Sequence, residues 1–283
     1  MNKTAVRKTT ATKKRASANT AAKLVLLSGA SGKMGQELQR QISATKSLRV
    51  GACVDDREIR ALDSGHTAVL RKTKDYLTVM ASAVDVIIDF STPKGTRELL
   101  SALSGVSGKV ILIGTTGLTN RDLTHIKKLA KKGRHQILVA GNTSLGIATL
   151  VRACLAFASS LSEAGFDIEI TESHHNRKAD APSGTALLLA CSLQARLKGY
   201  RIETKRSGKR QPKTIGVHSV RGGGVVGEHE VRFISDYEEV KFSHRAFSRA
   251  LFADGAIRLI AEIEKNVKIG EMTTFEDLIA RIS

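Results

Sequence analysis

Two histidines, a lysine and a predicted helix start lie within fifteen residues, in the stretch ESHHNRKADAPSGTA at 172–186. Histidine titrates near neutral pH, so His174 can donate or accept a proton, and Lys178 is a second candidate acid. The backbone N–H groups of Ser183, Gly184 and Thr185 lie next to one another at a predicted helix start, which is a favourable binding site, or seat, for a carboxylate. His175 and Lys178 can add positive charge to this seat. The stretch therefore predicts a proton-transfer site for an anionic substrate.

A strand and a helix must position this stretch. Before it, FDIEITE alternates apolar and polar residues, which is the pattern of a half-buried strand. After it, TALLLACSLQARL has the length and composition of a helix, with Pro182 as the break and Ser183 as a candidate cap. The stretch is therefore predicted to be a loop between a strand and a helix.

Other interpretations of the same residues remain open. Paired histidines, a surface lysine and a Ser-Gly-Thr helix cap can each be purely structural. A hydrolase triad is a chemical alternative, because Ser183, His174 and Asp180 are all present. No G-x-S-x-G sequence surrounds Ser183, and a hydrolase would leave the glycine turn near the N-terminus unexplained, so a hydrolase is disfavoured.

That glycine turn follows the first apolar run, LVLLS, and precedes a helical stretch, QELQRQISA. Gly29, Gly32 and Gly35 form G-x-x-G-x-x-G, which departs from G-x-G-x-x-G because Ser31 occupies the middle place. Glycines allow backbone N–H groups to approach a pyrophosphate, and a helix N-terminus adds partial positive charge. The next strand ends at Asp55, where an acid can hold ribose hydroxyls. We therefore predict dinucleotide binding.

The first half of the chain alternates apolar runs with helical stretches. VDVIIDF, KVILIG and HQILVA are typical of buried parallel strands. The alternation predicts an α/β fold with a doubly wound, Rossmann-type parallel sheet that binds its ligand at the carboxyl ends of the strands.

From about Ile147 the pattern changes to a helix, a strand, the 172–186 loop, a helix and a run of strands. TIGVHSVR, VVGEHEVRFIS and EEVKFS predict a meander in a largely antiparallel or mixed sheet, so the second domain is expected to be α+β. Residues 198–213 are basic and are predicted to be an exposed loop. SHRAFSRALFADGAIRLIAEI is predicted to be helical, and Thr273 with Glu276 to be the capping box of a last short helix.

These patterns divide the chain. The prediction is a disordered basic tail at 1–22, a dinucleotide-binding domain at 23–145 completed by the C-terminal helices at 254–283, and a substrate-binding and oligomerisation domain at 146–253.

The net charge of +18 over 283 residues is concentrated in part near the N-terminus, where residues 1–23 carry seven bases and no acid. We interpret this tail as disordered, with an organelle transit peptide as the alternative. The charge also motivates a non-catalytic nucleotide sensor that binds nucleic acid through the tail, although nucleic acid is not the expected partner. No apolar run approaches eighteen residues, so we expect no membrane span. Three widely spaced cysteines predict neither a disulfide framework nor a metal site and suit a reducing, cytoplasmic compartment.

Over residues 24–283 the chain resembles the 4-hydroxy-tetrahydrodipicolinate reductase family, also called dihydrodipicolinate reductase. The most specific stretch is HHNRKADAPSGTA, accompanied in order by GASGKMG, VDVIIDFSTP, GTTG, GNTSLG, VRGGGVVGEHEV and SHRAFSRALFADGA. The resemblance implies reduction of a cyclic imine dicarboxylate by NADH or NADPH in the diaminopimelate route to lysine. It also implies a homotetramer held together by sheets of the second domain.

The resemblance also assigns roles to residues. It implies that His174 is the proton donor or acceptor, that Lys178 is its partner acid, and that Arg249 lies near the domain junction. Together, the resemblance and the carboxylate seat at the helix start give four expected substrate contacts: His175, Ser183, Gly184 and Thr185. The implied cofactor site consists of Gly29, Ala30, Ser31, Gly32, Lys33, Met34, Asp55, Gly114, Thr115, Thr116, Ala140, Gly141, Asn142 and Thr143. No metal is expected.

The cofactor preference follows from a departure from the family pattern. Where many members have Arg beside the ribose-binding acid, this chain has Asp56, which would repel the additional phosphate of NADPH. NADH is therefore expected to be preferred, with Arg57, Arg60 and Lys33 as possible compensating charges. A second candidate function is a dehydrogenase of the same two-domain plan that acts on an amino or keto acid.

Overall fold

The computed structural model describes residues 21–55, 69–70 and 74–281. The predictions that concern residues 1–20, Asp56, Arg57 and Arg60 lie outside these described residues.

The described elements alternate strands and helices through most of the chain. The strands are β1 (Lys23–Ser28), β2 (Leu48–Val54), β3 (Val69–Leu70), β4 (Val86–Asp89), β5 (Val110–Ile113), β6 (Gln136–Val139), β7 (Asp167–His174), β8 (Arg201–Glu203), β9 (Thr214–Arg221), β10 (Gly227–Ile234), β11 (Glu239–Ala246) and β12 (Met272–Thr274). The helices are α1 (Lys33–Ser43), α2 (Lys74–Ala83), α3 (Pro93–Ala102), α4 (Asn120–Gly133), α5 (Leu145–Glu163), α6 (Gly184–Arg196), α7 (Ala250–Asn266) and α8 (Phe275–Arg281), with a 3₁₀ turn at Leu103–Gly105.

Seven parallel strands form the first sheet, in the order β12-β6-β5-β4-β1-β2-β3. All four residues of β4 and of β5 are buried, because helices cover both faces of the sheet. One of the two apolar clusters beside the sheet includes Leu259, Ile260 and Ile263 of α7 and Phe275 of α8. The C-terminal helices therefore pack on the first sheet, and the predicted Rossmann-type fold is confirmed.

A second sheet has the order β11-β10-β7-β9-β8. Strand β10 is antiparallel to β7 and β11, whereas β9 is parallel to β7 and β8, so the sheet is mixed. Its apolar face, with Ile168, Ile170, Val231 and Phe233, packs against α5 and α6. The α+β expectation for this half is thus confirmed.

The predicted meander of β9, β10 and β11 is wrong in one respect, since β7 lies between β9 and β10. The glycine run between those two strands crosses the end of β7 instead of forming a hairpin. Gly222 N donates to His174 O at 2.9 Å, and Asn176 N donates to Gly223 O at 3.3 Å. The sequence shows the turn but carries no signal for which strand the chain pairs with after it.

Three local predictions also need correction. The predicted helix at SHRAFSRALF begins as strand β11, and α7 starts only at Ala250. Thr273 lies in β12 and is buried, so Thr274 caps α8 by accepting from Asp277 N at 3.2 Å. The predicted exposed loop at 198–213 contains β8, and two of its arginines bind Glu169. Strands of three residues are too short to show a period in the sequence.

Helix α5 is long and apolar enough, by length and composition, to cross a membrane, a candidate span that the apolar runs of the sequence did not predict. The buried side of α5, which includes Ile147, Leu150, Val151 and Cys154, is part of the core beneath the second sheet. About a third of the apolar window of α5, 33%, is buried.

Candidate active site

The turn between β1 and α1 is shaped by its glycines. A Cβ added at Gly29, whose φ is +79°, would lie 2.3 Å from Phe90 O, and one at Gly35 would lie 2.3 Å from Gly29 O. Helix α1 begins after Gly32, and among the described residues no side chain caps its N-terminus. Its exposed first residue is Lys33. Open N–H groups, a nearby lysine and a tight backbone together fit the phosphates of a dinucleotide.

Strand β2 contributes an acid to the same turn. Ser31 N donates to Asp55 Oδ2 at 3.0 Å, so the predicted ribose-binding carboxylate lies directly against the predicted phosphate turn. Ala30 is buried beneath the turn and Met34 is half-buried against the apolar cluster. The six predicted residues of the turn, at 29–34, and Asp55 are therefore neighbours, with Ala30 beneath the turn and Ser31 in contact with Asp55.

Two further predicted cofactor segments reach the same edge of the sheet. A Cβ at Gly114 would lie 2.2 Å from the Phe90 ring, which fixes the GTTG segment against the end of β4. Thr115 is buried and its Oγ1 donates to Asp89 Oδ2 at 3.2 Å. Thr116 is exposed, and a Cβ at Gly141 would lie 3.6 Å from its Cγ2. The GTTG and GNTS segments are therefore neighbours.

A hydrogen bond joins the GNTS segment to the start of helix α6. Asn142 Nδ2 donates to Thr185 Oγ1 at 2.8 Å. Thr143 is buried and its hydroxyl donates to Phe252 O at 2.6 Å, whereas Ala140 lies buried at the end of β6. The predicted cofactor segments thus contact the predicted substrate seat directly.

The substrate seat is the start of α6. Ser183 is buried and is the N-cap, and its Oγ accepts from Ala186 N at 3.2 Å. Gly184 is exposed and Thr185 is half-buried. The helix therefore presents Gly184 and Thr185 at its open N-terminus, the geometry that a carboxylate requires.

Behind the seat lies Glu172, which is fully buried. His174 Nδ1 donates to its Oε2 at 2.5 Å, and Ser183 N donates to its Oε1 at 3.1 Å. Arg221 binds both carboxylate oxygens, at 2.8 and 2.7 Å, and also donates to Asp180 O at 2.6 Å. One carboxylate is thus bonded to the candidate acid and to the seat.

The environment keeps Glu172 ionised. Burial opposes ionisation because a buried charge loses its hydration. Hydrogen bonds from four partners outweigh this effect and lower the pKa of Glu172 from 4.5 to about 2. The partners are Arg221, Ser219, His174 and Ser183. Burial also lowers the pKa of His174, and the hydrogen bond to Glu172 opposes that decrease.

The other charged residues of the loop surround His174. Lys178 Nζ pairs with Asp180 Oδ1 at 2.8 Å and is only partly exposed. Burial and the charges of Arg177 and Arg249, among others, lower the pKa of His175. Arg249, at the start of α7, is therefore close enough to affect this loop electrostatically.

The hydrolase triad is not assembled. Ser183 Oγ lies 3.1 Å from Nε2 of His229, not of His174, and Asp180 pairs with Lys178. His229 is buried, and its Nδ1 has no hydrogen-bond partner among the described residues. Burial lowers the pKa of His229 to about 3, so this histidine is neutral at physiological pH.

Sequence reasoning missed Glu172, Arg221 and His229. Glu172 is the last position of the alternating apolar face of β7, where a charged residue breaks the pattern Phe166, Ile168, Ile170. A carboxylate at an apolar position needs a partner that compensates its charge, so the sequence pattern pointed to such a partner. Arg221 and His229 are distant in sequence, and only the sheet order places them here.

Two family models match the chain. The family model described as "Dihydrodipicolinate reductase, N-terminus" matches residues 23–143, and the one described as "Dihydrodipicolinate reductase, C-terminus" matches residues 146–279. The chain belongs to the dihydrodipicolinate reductase family. It is an oxidoreductase of that family, whose Rossmann-type fold binds a pyridine nucleotide.

Relatives of this family resemble the chain over most of its length. The 4-hydroxy-tetrahydrodipicolinate reductase of Cereibacter sphaeroides is 36% identical over 249 residues, which cover 83% of this chain and 90% of the relative. The protein of that name from Helicobacter pylori strain G27 is 37% identical over 253 residues, covering 86% and 97%.

Solved structures also resemble this chain. Dipicolinate-bound dihydrodipicolinate reductase from Paenisporosarcina sp. TG-14 matches with a TM-score of 0.70 at 25% identity, covering 89% of this chain and 97% of that one. Myo-inositol 2-dehydrogenase from Lactobacillus plantarum shares the fold, with a TM-score of 0.52 at 12% identity and coverage of 92% and 94%. The second likeness concerns the fold alone.

Proposed function

We propose that this dihydrodipicolinate reductase family member reduces 4-hydroxy-tetrahydrodipicolinate to tetrahydrodipicolinate in the diaminopimelate route to lysine, with NADH as the preferred cofactor. The observation that carries the proposal is the Asn142–Thr185 hydrogen bond of 2.8 Å, which joins the candidate cofactor edge to the candidate substrate seat. The two relatives reported above carry the name of this reductase.

The residues of the first sheet would hold the cofactor. The β1–α1 turn with Lys33 would take the phosphates, Asp55 the ribose hydroxyls, and the segments at 114–116 and 140–143 the remaining edge of the cleft. When bound, the nicotinamide cofactor supplies the hydride. The tight backbone at Gly29 and Gly35 fits this role because any side chain there would displace the turn.

The residues of the second sheet would bind and protonate the substrate. The N–H groups at Gly184 and Thr185 would bind one carboxylate, assisted by the charge of Lys178. His174 Nδ1 is committed to Glu172, so the protonated Nε2 would donate the proton that accompanies hydride transfer. The role of Lys178 as partner acid is part of the proposal.

A direct assay tests the reaction. Purified protein is given NADH and the condensation product of aspartate semialdehyde and pyruvate, and cofactor oxidation is followed by absorbance. We expect turnover with this substrate and none with amino or keto acids. Absence of turnover with the dicarboxylate would contradict the proposed function, and turnover of amino or keto acids would favour the second candidate, a dehydrogenase of the same plan.

Replacement of the proton donor tests the mechanism. His174→Gln is expected to lower kcat by about 100-fold or more, because general acid catalysis contributes on this scale. The Kd for NADH should stay near the wild-type value. His125→Gln, on the exposed surface of α4, is the control and should keep full activity. A wild-type kcat in His174→Gln would remove this residue from proton transfer.

The preference for NADH rests on the sequence, since Asp56 lies outside the described residues. A carboxylate beside Asp55 would repel the extra phosphate of NADPH, so kcat/KM should be higher for NADH. Asp56→Arg should shift the ratio towards NADPH. A clear NADPH preference in the wild type would contradict this part of the proposal.

We further propose a homotetramer and a cytoplasmic location, with organelle targeting through the tail as the alternative. The family resemblance supports the tetramer, and three unpaired cysteines suit a reducing compartment. Light scattering and cell fractionation test the two points, and a monomeric mass or an organellar fraction would contradict them.

A further inference from the structure

A buried carboxylate lies directly behind the proposed proton donor. Glu172 is fully buried, and His174 Nδ1 donates to its Oε2 at 2.5 Å. An ionised carboxylate can only accept hydrogen bonds, so Nδ1 must carry a proton in both charge states of the ring. Nε2 is then the only ring nitrogen that can gain or lose a proton during the reaction.

The same carboxylate also holds the substrate seat. Its Oε1 accepts from Ser183 N at 3.1 Å, one residue before the N–H groups of Gly184 and Thr185. Arg221 binds both carboxylate oxygens from β9 and so fixes the carboxylate itself. Movement of Glu172 would therefore displace the acid and the seat together.

We propose that Glu172 is the positioning residue of this site, which fixes His174 in its Nδ1–H tautomer and anchors the start of α6. This inference rests on the proposed function, because Glu172 acts only through residues that are placed there in proton transfer and substrate binding. Glu172 itself touches neither substrate nor cofactor in this scheme.

The charged and titratable groups around His174 make the role of Glu172 specific. Burial disfavours the protonated ring, and the charges of Lys178 on the loop and Arg221 on β9 disfavour it further. The His229 ring from β10 packs edge-on at 5.2 Å between centroids, and His175 adjoins along the chain. Glu172 opposes these effects, because its hydrogen bond and its charge both favour the protonated ring.

The test compares Glu172→Gln with the wild type across pH. Glutamine keeps the shape but can donate its amide N–H to Nδ1, which favours the other tautomer. We expect kcat to fall by about 10- to 100-fold, less than in His174→Gln, because the general acid itself is still present. The alkaline limb of the kcat profile should move to lower pH by about one unit, because an opposite charge is lost. KM for the dicarboxylate should rise as the seat loosens.

The matched control is Glu169→Gln on the same strand. Like Glu172, Glu169 is a carboxylate that binds arginine and histidine side chains, but it lies on the opposite face of the sheet. Its partners are Arg206, Arg210 and His218. Its replacement should leave kcat and the pH profile unchanged, and light scattering would verify that both variants have the same mass. An equal loss in both variants would overturn the inference, because the effect would then be general.

The double variant Glu172→Gln, His174→Gln separates the two roles. If Glu172 acts through His174, the double variant should have the kcat of His174→Gln, while the KM increase persists. A further multiplicative loss in kcat would contradict the inference. A wild-type kcat and pH profile in Glu172→Gln, together with a low kcat in His174→Gln, would overturn it and leave the proposed function standing. Lack of turnover in the wild type would instead overturn the proposed function.

A spectrum of the wild type provides a test that needs no folded Glu172 variant. Protein labelled with ¹⁵N at histidine should show a proton on Nδ1 and none on Nε2 of His174 at high pH, with the signals assigned by their loss in His174→Gln. The opposite tautomer would overturn the inference.

Discussion

The two halves of the candidate site are held in place by different kinds of interaction. At the edge of the first sheet, the β1–α1 turn is defined by backbone contacts, where a Cβ at Gly29 or Gly35 would lie 2.3 Å from a carbonyl oxygen. Behind the loop of the second sheet, the fully buried Glu172 pairs with the half-buried Arg221 and hydrogen-bonds to His174 and Ser183.

This difference predicts which changes in side-chain volume and ionisation each half can tolerate. Positions that are held by close backbone contacts are sensitive to the volume of an added side chain. A site made of buried charges tolerates small changes in volume but depends on ionisation, since removing one partner leaves an uncompensated charge. Four predictions test this division, in order of decreasing effect.

Replacement of Arg221, the half-buried partner of the buried Glu172, should have the largest effect on stability. Arg221→Met leaves Glu172 buried without its counter-ion and should lower the free energy of unfolding by about 3–5 kcal/mol. Arg245→Met is the control, since Arg245 and Glu228 are 3.8 Å apart and exposed. That variant should change stability by less than about 1 kcal/mol. Equal effects in urea denaturation would contradict the division.

Acid should weaken the second half selectively. The folded-state pKa of Glu172 is about 2 against an ordinary value of 4.5. A depressed carboxyl pKa stabilises the fold at pH above about 4.5, and this stabilisation is lost as pH falls towards 2, amounting to about 3 kcal/mol. Unfolding free energies measured from pH 7 to pH 3 should fall less steeply in Glu172→Gln. Identical pH slopes in the two proteins would refute this account.

The glycine turn should respond to volume. Gly35→Ala should lower the free energy of unfolding by about 1–3 kcal/mol, as expected for overpacking, and should weaken NADH binding. The loss in stability should be the same at pH 4 and pH 7. Gly105→Ala is the control, because a Cβ there meets no described heavy atom within 4 Å. Unchanged NADH affinity in Gly35→Ala would contradict the assignment of the turn.

Thiol reactivity gives the smallest effect, and it needs no variant. Burial raises the pKa of Cys53 to about 11 and that of Cys154 to about 12, whereas Cys191 is exposed. A thiol reagent at pH 8 should therefore label one cysteine in the folded protein, with little effect on activity. Peptide mapping identifies the site, and rapid labelling of Cys53 would show that the first sheet opens more readily than its packing implies.

The sequence predicted what local patterns determine. Apolar runs and glycine spacing identified the Rossmann-type sheet. The 172–186 stretch was predicted to be a loop between a strand and a helix, and the loop is in fact shorter, because β7 continues to His174 and α6 begins at Gly184. Patterns carry no information on pairing over long distances, so the position of β7 between β9 and β10 was missed. For the same reason the sequence identified His174 but not Arg221, which is forty-seven residues away and approaches only through the parallel β7–β9 pair.

The return of the C-terminal segment to the first sheet has a consequence for how the chain folds during synthesis. Strand β12 pairs with β6, and α7 packs beneath the same sheet, although more than a hundred residues separate them along the chain. The second sheet, by contrast, lies wholly between Asp167 and Ala246. During synthesis, the core of the first sheet can therefore be completed only after α7 and β12 have emerged from the ribosome. All strands of the second sheet emerge before β12, so that sheet can form earlier.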